Sequence, residues 1–150
     1  MKIVLQKVKK ASVSVEGKVV GEIDKGYCLL VGVHKESTEV DAKYLAKKIA
    51  EARLFEDENE KLNLGLKDVG GSILSISQFT LYADTKKGKR PSFTNAAGAE
   101  KANELYNRFN DYLREENIKV ETGIFQTMME VNIINDGPVT IIYEKLSSGN

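Results

Sequence analysis

The sequence has few of the residues that form metal sites and disulfides. It contains one cysteine, Cys28, and one histidine, His34, in 150 residues. A lone cysteine cannot form an internal disulfide, and one cysteine with one histidine cannot complete the ligand shell of a structural zinc ion. We therefore expect no metal and no cofactor, and a chain of this length can bury a sufficient apolar core without a cross-link.

An excess of charge of one sign and a long apolar run are also missing. The 22 Lys and Arg residues balance the 22 Asp and Glu residues, which excludes a general basic coat for nucleic acid but not a local basic patch. No apolar run approaches the roughly 20 residues of a membrane span, and the chain opens on a strand-like run at Met1 without an apolar leader. We therefore expect a cytoplasmic protein without a membrane partner.

Proline is scarce, and no linker divides the chain. Pro91 and Pro138 are the only prolines, and no Gly/Ser-rich or Pro-rich stretch occurs. One domain is therefore predicted over residues 1–150, with a frayed end at residues 147–150.

Hydrophobic periodicity predicts the fold class. A Thr38–Asp41 capping box predicts a helix over residues 38–53, and apolar residues spaced three and four apart predict a second helix over 97–116. Strand patterns cover residues 2–9, 11–16, 27–33, 72–82, 118–125, 128–135 and 138–146, with a hairpin at Gly17-Lys18. This order predicts an α/β fold: a mixed, largely antiparallel sheet with a barrel-like core and two main helices packed on it.

Few side chains fit ordinary acid–base or nucleophilic catalysis. His34 follows an apolar strand, and Cys28 lies within it, where a thiol has little thiolate character. The acidic stretch Asp57, Glu58 and Glu60 is typical of a solvated loop. We predict that neither His34 nor Cys28 is catalytic.

Two polar segments stand apart from the apolar pattern. In Ser77–Asp84, a Ser-Gln pair and a threonine interrupt an apolar run, and buried polar groups require partners or a purpose. The second segment, Asn135–Thr140, contains Asn-Asp-Gly-Pro, a strong turn signal in which the Gly137–Pro138 bond can be cis. Between them lies a basic turn, which indicates either contact with the phosphates of a nucleic acid or a solvated loop. The basic turn consists of Lys86, Lys87, Lys89 and Arg90.

Together the two polar segments resemble the signature motifs of the D-aminoacyl-tRNA deacylases. The likeness extends along essentially the whole chain, from Ala11-Ser12-Val13 through Lys89–Phe93 to Val131–Thr140. The resemblance implies a homodimeric hydrolase, with its sites at or near the dimer interface, that cuts the ester bond between a D-amino acid and the 3′ end of tRNA. It also implies a catalytic segment whose backbone N–H groups suit an oxyanion. That segment consists of Ser77, Gln78, Phe79 and Thr80.

The resemblance further implies how chirality is read. Gly137 and Pro138, joined by a cis bond, would reach into the partner's pocket, where their carbonyl groups would exclude an L side chain sterically. We call these two residues the fence. Glycine has no Cβ, so such a fence would also admit glycyl-tRNA, including tRNA-Ala mischarged with glycine. Met129 and Lys7 are implied to take part in substrate binding, and the basic turn is implied to bind tRNA.

Two positions depart from the family pattern. Lys7 stands where an arginine is expected, which replaces a bidentate fork by a point charge. Gln126-Thr127 stands where a small Gly-Ala-like pair is expected, directly before Met128-Met129.

Two mechanisms and two rival classes remain open at this point. Thr80 could act as a nucleophile, but no base is evident beside it. The 2′-hydroxyl of the terminal adenosine could assist instead, and we favour this alternative. The rivals are a non-catalytic RNA- or DNA-binding module and a small-molecule hydrolase; the paired motifs argue against the first and the basic turn against the second.

Overall fold

A six-stranded sheet and two helices make up the computed structural model, which describes residues 1–147. Its elements are β1 (Lys2–Val15), β2 (Lys18–Ile23), β3 (Gly26–Gly32), α1 (Glu39–Ala50), β4 (Phe55–Glu56), β5 (Leu62–Leu64), β6 (Ser72–Ser77), the 3₁₀ helix η1 (Phe79–Tyr82), α2 (Ala99–Glu115), β7 (Val120–Thr122) and β8 (Glu130–Glu144). β4 and β5 form a separate two-stranded hairpin. No helix within residues 1–147 is both long and apolar enough to cross a membrane.

β1 organises the sheet because it pairs with three strands, all of them antiparallel. Its first half pairs with β3, its second half with β2, and β8 pairs along nearly its whole length. β3, β6 and β7 run parallel to one another. A Cβ added to Gly21 in β2 would lie 2.7 Å from the carbonyl oxygen of Thr122 in β7, so the sheet curls until its two ends nearly meet. The predicted α/β class, with a mixed, barrel-like sheet and two helices, is confirmed.

Apolar side chains cover both faces of this sheet. On the outer face, α1 and α2 bury Leu45 and Phe109 against Ile3 and other sheet residues. On the inner face of the curl, Val13 and Leu74 belong to a smaller cluster. Along β3, side chains alternate between the two clusters, since Tyr27 and Leu29 belong to the first and Cys28 to the second, as a strand buried on both faces requires.

α1 begins at the predicted capping box. The Thr38 hydroxyl accepts from the Asp41 backbone N–H at 3.4 Å, and the Asp41 carboxylate accepts from the Thr38 N–H at 2.9 Å. The other carboxylate oxygen of Asp41 accepts from the Ser147 N–H at 3.0 Å. The prediction that Ser147 is frayed is therefore wrong, because the buried carboxylate of Asp41 holds it. The remaining residues of the predicted frayed end, 148–150, lie outside the described part of the chain.

Strand continuity differs from the sequence prediction in three places. The runs 2–9 and 11–16 form one strand, β1, because β8 pairs across both. The predicted strand 72–82 ends at Ser77 and continues as η1. The runs 128–135 and 138–146 form one interrupted strand, β8, so Asn135–Thr140 is a bulge rather than a hairpin turn. The hairpin between β1 and β2 is confirmed, with Glu16 and Gly17 at φ 49° and 80° in its two-residue loop.

Candidate active site

A cavity of about 830 Å³ opens where the parallel strands β3 and β6 end side by side. Such a volume falls within the range of small-molecule sites. Three segments line it: the ends of β3 and β6 with η1, the first turn of α2, and the loop between β7 and β8. The predicted catalytic residues Ser77, Gln78, Phe79 and Thr80 all lie in this lining.

The chain turns sharply after β6, which presents these residues to the cavity. The Gln78 backbone N–H donates to the carbonyl of Val31 at 2.8 Å, which extends the pairing of β6 with β3 by one bond. The Leu81 N–H then donates back to the Gln78 carbonyl at 3.3 Å and starts η1. Within residues 1–147, the N–H groups of Phe79 and Thr80 have no protein acceptor, as the first turn of a helix leaves them. They are therefore available to an anionic oxygen in the cavity.

The Thr80 hydroxyl has a neutral partner. Its oxygen accepts from the Gln78 side-chain amide at 2.6 Å. The described residues that line the cavity include no His, Cys, Asp, Glu, Lys or Arg. No base therefore stands beside Thr80 in the cavity.

His34 and Cys28 lie outside the cavity lining. The His34 Nδ1 accepts from the Glu36 backbone N–H at 3.0 Å, and its ring packs edge-on against Tyr82 at 5.0 Å. Desolvation lowers the pKa of His34, which favours the neutral form of its ring. Burial raises the pKa of the Cys28 thiol to about 12, so it carries no thiolate near neutral pH.

The loop before β8 closes the opposite wall of the cavity. Met129, which the resemblance implies in substrate binding, lies in the lining together with Gln126 and Thr127. The Thr127 hydroxyl donates to the Ile124 carbonyl at 2.8 Å, and Gln126 adopts φ 61°, which a non-glycine residue rarely does. The Gln126-Thr127 departure thus borders the cavity.

The loop that carries the basic turn is joined to the cavity lining through one aromatic contact. Asp84 and Ser92 exchange two backbone hydrogen bonds of 2.7 and 2.9 Å, which close the loop that carries the four cations. Phe93, just after this loop, packs edge-to-face on Phe79 of the cavity lining at 5.1 Å. All four cationic side chains of the basic turn are exposed.

Lys7, Gly137 and Pro138 do not line this cavity within the one chain. The Lys7 side chain is 3% exposed, and its ammonium donates to the Leu54 carbonyl at 3.2 Å. Gly137 and Pro138 are exposed on the bulge of β8, and the bond between them is cis. In this chain the structure thus brings Ser77–Thr80 and Met129 together and leaves these three residues apart.

The sequence patterns did not predict the part of the cavity wall that α2 and the loop after β7 form. Ala97, Ala99 and Ala102 line the cavity at the start of α2, and Phe125 lines it from the loop. A group of small residues at a helix start was the available signal, but it is equally typical of close helix packing. Residues 1–147 hold no cluster of His, Cys, Asp and Glu suited to a metal ion.

Comparison with known proteins identifies the family. Residues 4–144 match the family model described as D-Tyr-tRNA(Tyr) deacylase. The chain is 62% identical over 144 residues to the D-aminoacyl-tRNA deacylase of Staphylococcus carnosus, with 96% of this chain and 95% of that protein covered. It is 59% identical over 145 residues to the D-aminoacyl-tRNA deacylase of Exiguobacterium sibiricum, with 97% and 100% covered.

Solved structures show the same fold. A structure described as c-Myc DNA Unwinding Element Binding Protein aligns with a TM-score of 0.90 and 39% identity, over 97% of this chain and 99% of that one. A probable eukaryotic D-amino acid tRNA deacylase aligns with a TM-score of 0.81 at 16% identity, over 95% and 97%, and this likeness shows the fold alone. The resemblance read from Ser77–Asp84 and Gly137–Pro138 is confirmed: the chain belongs to the D-aminoacyl-tRNA deacylase family, a family of hydrolases.

Proposed function

We propose that this protein hydrolyses the ester bond of D-aminoacyl-tRNA and releases the free D-amino acid and tRNA. The observation that carries the proposal is a cavity in which, among residues 1–147, the backbone N–H groups of Phe79 and Thr80 have no acceptor and no ionisable side chain lines the wall. Such a cavity stabilises an oxyanion and leaves proton transfer to the substrate. The exposed basic turn, whose loop is followed by Phe93 packed on Phe79 of the cavity lining, fits a polyanionic substrate, and tRNA offers both the ester and the phosphates.

The 2′-hydroxyl of the terminal adenosine assists the reaction in this proposal. It lies next to the ester on the 3′ oxygen, so the substrate brings its own polar group to the reacting carbonyl. Thr80 is a poor nucleophile by comparison, because its hydroxyl oxygen accepts a hydrogen bond from the neutral amide of Gln78 and no base can remove its proton. The protein contributes position and the backbone donors.

A second copy of the chain completes the site in the proposal. Within residues 1–147, β8 pairs with β1 alone, so the described part of the chain leaves the other edge of its 15 residues without a strand partner. Ile134 and Ile142 on this strand are 55% and 65% exposed, which suits a partner surface rather than solvent. A twofold pairing that covers this strand would bring the exposed Gly137 and Pro138 of each copy to the cavity of the other.

In this arrangement, L-aminoacyl substrates are excluded by a steric clash. The carbonyl groups of Gly137 and Pro138 would clash with the Cβ of an L-amino acid, whereas a D side chain would point outward. Glycine has no Cβ and would pass. The proposal therefore includes glycyl-tRNA, and tRNA-Ala mischarged with glycine, among the substrates. A substrate of this kind would place the protein in the cytoplasm.

Deacylation of five charged tRNAs tests the proposal: D-tyrosyl-, L-tyrosyl-, D-alanyl-, L-alanyl- and glycyl-tRNA. We expect release from the D-aminoacyl and glycyl forms and sparing of the two L forms. Apolar fit alone separates substrates that differ by one methyl group by only about 1–3 kcal/mol, so a sharper gap between glycyl- and L-alanyl-tRNA supports a steric fence. Intact D-aminoacyl-tRNA at high protein concentration would contradict the function. Intact glycyl-tRNA beside cleaved D-alanyl-tRNA would contradict the fence and indicate a pocket for the D side chain.

A second candidate function is binding of nucleic acid without catalysis. It is favoured by the 39% identical solved structure, whose description names DNA binding. Fluorescence anisotropy with duplex DNA and with uncharged tRNA separates the two. Tight DNA binding without any ester hydrolysis would support this candidate and exclude the deacylase.

A further inference from the structure

The bulge that carries Gly137 and Pro138 is the larger of two register shifts in the pairing of β1 with β8. Gln6 pairs with Thr140 and Val8 pairs with Asn135, so Lys7 alone on β1 stands opposite four residues of β8, 136–139. An insertion of this size takes backbone groups on both strands out of the ladder. Those groups need other partners if the bulge is to keep one shape.

Asn135 supplies a partner for both strands at once. Its side-chain amide nitrogen donates to the Lys7 carbonyl at 2.9 Å and to the Val139 carbonyl at 3.1 Å. Both partners are carbonyl oxygens, so only the NH₂ end of the amide can face them, and the orientation of the side chain is fixed. The two bonds connect the beginning of the bulge to its end at Val139 and to Lys7 of the neighbouring strand β1.

The residues around this contact are held in place themselves. The ammonium group of Lys7 donates to the Leu54 carbonyl. This bond holds the Lys7 backbone, whose carbonyl accepts from Asn135. Inside the bulge, Gly137 adopts φ +121°, and a Cβ there would lie 2.8 Å from the Val139 side chain. The bulge is thus closely packed, and the Asn135 amide closes it.

We infer that Asn135 is a positioning residue that sets the stereospecificity of the enzyme by holding Gly137 and Pro138 in place. This rests on the proposed function, in which those two residues form the fence. A steric fence discriminates only if its carbonyls cannot retreat from an approaching Cβ. Loosening the bulge should therefore admit L-aminoacyl-tRNA while the cavity, built from other residues, still turns over the D form.

Asn135→Asp is the first variant, since it keeps the size and shape of the side chain. It replaces the donating NH₂ by a carboxylate oxygen that faces two carbonyl oxygens. Asn135→Ser is the second, neutral variant. Asn107→Asp is the matched control because Asn107 is an exposed asparagine on α2, outside both β8 and the cavity lining. The measured quantity is the ratio of kcat/KM for D-tyrosyl-tRNA to that for L-tyrosyl-tRNA, alongside hydrogen exchange of residues 134–141.

We expect both Asn135 variants to lower the D-to-L ratio by at least tenfold through a rise in L-tyrosyl-tRNA cleavage, with faster exchange in the bulge. Asn107→Asp should leave the ratio unchanged. Folded Asn135 variants that keep the parent ratio would overturn the inference, and so would an equal fall in both rates, which marks a purely structural role. A parent protein that does not distinguish the two substrates would instead refute the proposed function, so the two failures are distinguishable.

Discussion

Removal of the Thr80 hydroxyl separates the two mechanisms most directly. Thr80→Val keeps the branched shape of the side chain and deletes the oxygen that accepts from the Gln78 amide at 2.6 Å. Thr80→Ser is the matched control because it keeps a hydroxyl at the same position. Neither variant adds or removes a charge, so tRNA attraction should not change.

The structure sets the expected size of the effect. If Thr80 only orients the neighbouring turn, its deletion removes one neutral hydrogen bond, worth about 0.5–1.5 kcal/mol, or about a 2- to 13-fold loss of rate. If Thr80 is the nucleophile, deletion should cost at least about 1,000-fold, as loss of a nucleophile does in other hydrolases. The cavity has no ionisable side chain beside Thr80, so we expect the smaller effect.

Single-turnover deacylation of D-tyrosyl-tRNA measures both chemistry and substrate assistance. Parent, Thr80→Val and Thr80→Ser proteins are compared on normal tRNA and on tRNA that ends in 2′-deoxyadenosine. We expect Thr80→Val to retain most activity and the 2′-deoxy substrate to lose at least about 100-fold with every variant. An inactive Thr80→Val protein, an active Thr80→Ser protein and an indifferent response to the 2′-deoxy substrate would together refute substrate assistance and make Thr80 the nucleophile.

Four further outcomes follow from the structure. Neutralising the basic turn with Gln should weaken tRNA binding and reduce its salt dependence by about 0.9 units or less per lost phosphate contact, with turnover of bound substrate unchanged; an unaltered slope would make the turn a solvated loop. A His34→Gln, Cys28→Ala double variant should keep deacylation within a fewfold, and a folded protein with a 1,000-fold loss would restore a side-chain mechanism. Tyr82→Phe removes a partly buried hydrogen bond of 2.9 Å to Glu144 and should lower the free energy of unfolding by about 1–2 kcal/mol. Tyr112→Phe removes an exposed hydrogen bond and should cost less. Equal losses for the two variants in urea titrations would contradict this. Desolvation raises the pKa of Asp41, but hydrogen bonds from Ser147 and Thr38 outweigh it and hold the pKa below its usual value. The stabilisation by Asp41 is therefore present above the unfolded-state pKa and is lost as the pH falls through the folded-state pKa. Asp41→Asn should destabilise the protein at pH 7, and this loss should shrink as the pH falls through the folded-state pKa; a loss that does not change with pH would refute the assignment.

Local signals in the sequence predicted the helices well. The Thr38–Asp41 box lies within four residues and fixes the start of α1. The apolar stripe of α2 repeats every three or four residues, so its burial against the sheet follows from the pattern. Both depend on near neighbours in the chain, which a sequence displays directly.

Strand continuity depends on partners far away in the chain, and there the sequence misled. The polar Lys9-Lys10 pair breaks the apolar pattern of β1, yet β8 pairs on both sides of it. Asn-Asp-Gly-Pro has the composition of a hairpin turn, but β1 continues along both arms and makes it a bulge. Register between strands is a property of the pair, so no local pattern could distinguish the two.

The candidate site shows the same division. Ser77–Thr80 were found because they are contiguous and carry a family motif. The rest of the cavity comes from Ala97, Phe125 and their neighbours, which long-range packing brings to the ends of β3 and β6. Apolar and small residues of this kind carry no chemical signal in a sequence.

In the proposed dimer, each chain contributes to two sites: its own cavity and, through Gly137 and Pro138, the cavity of its partner. Hydrogen bonds within the chain connect the two contributing segments. The Tyr82 hydroxyl at the end of η1 donates to the Glu144 carboxylate at the end of β8, at 2.9 Å. β8 also carries the bulge, which Asn135 fastens to β1. η1, which carries Phe79 and Thr80 of the cavity lining, is therefore bonded to the strand that would deliver Gly137 and Pro138 to the partner in the proposed dimer. A change in how β8 packs should for this reason alter both the cavity of its own chain and the stereospecificity of the other.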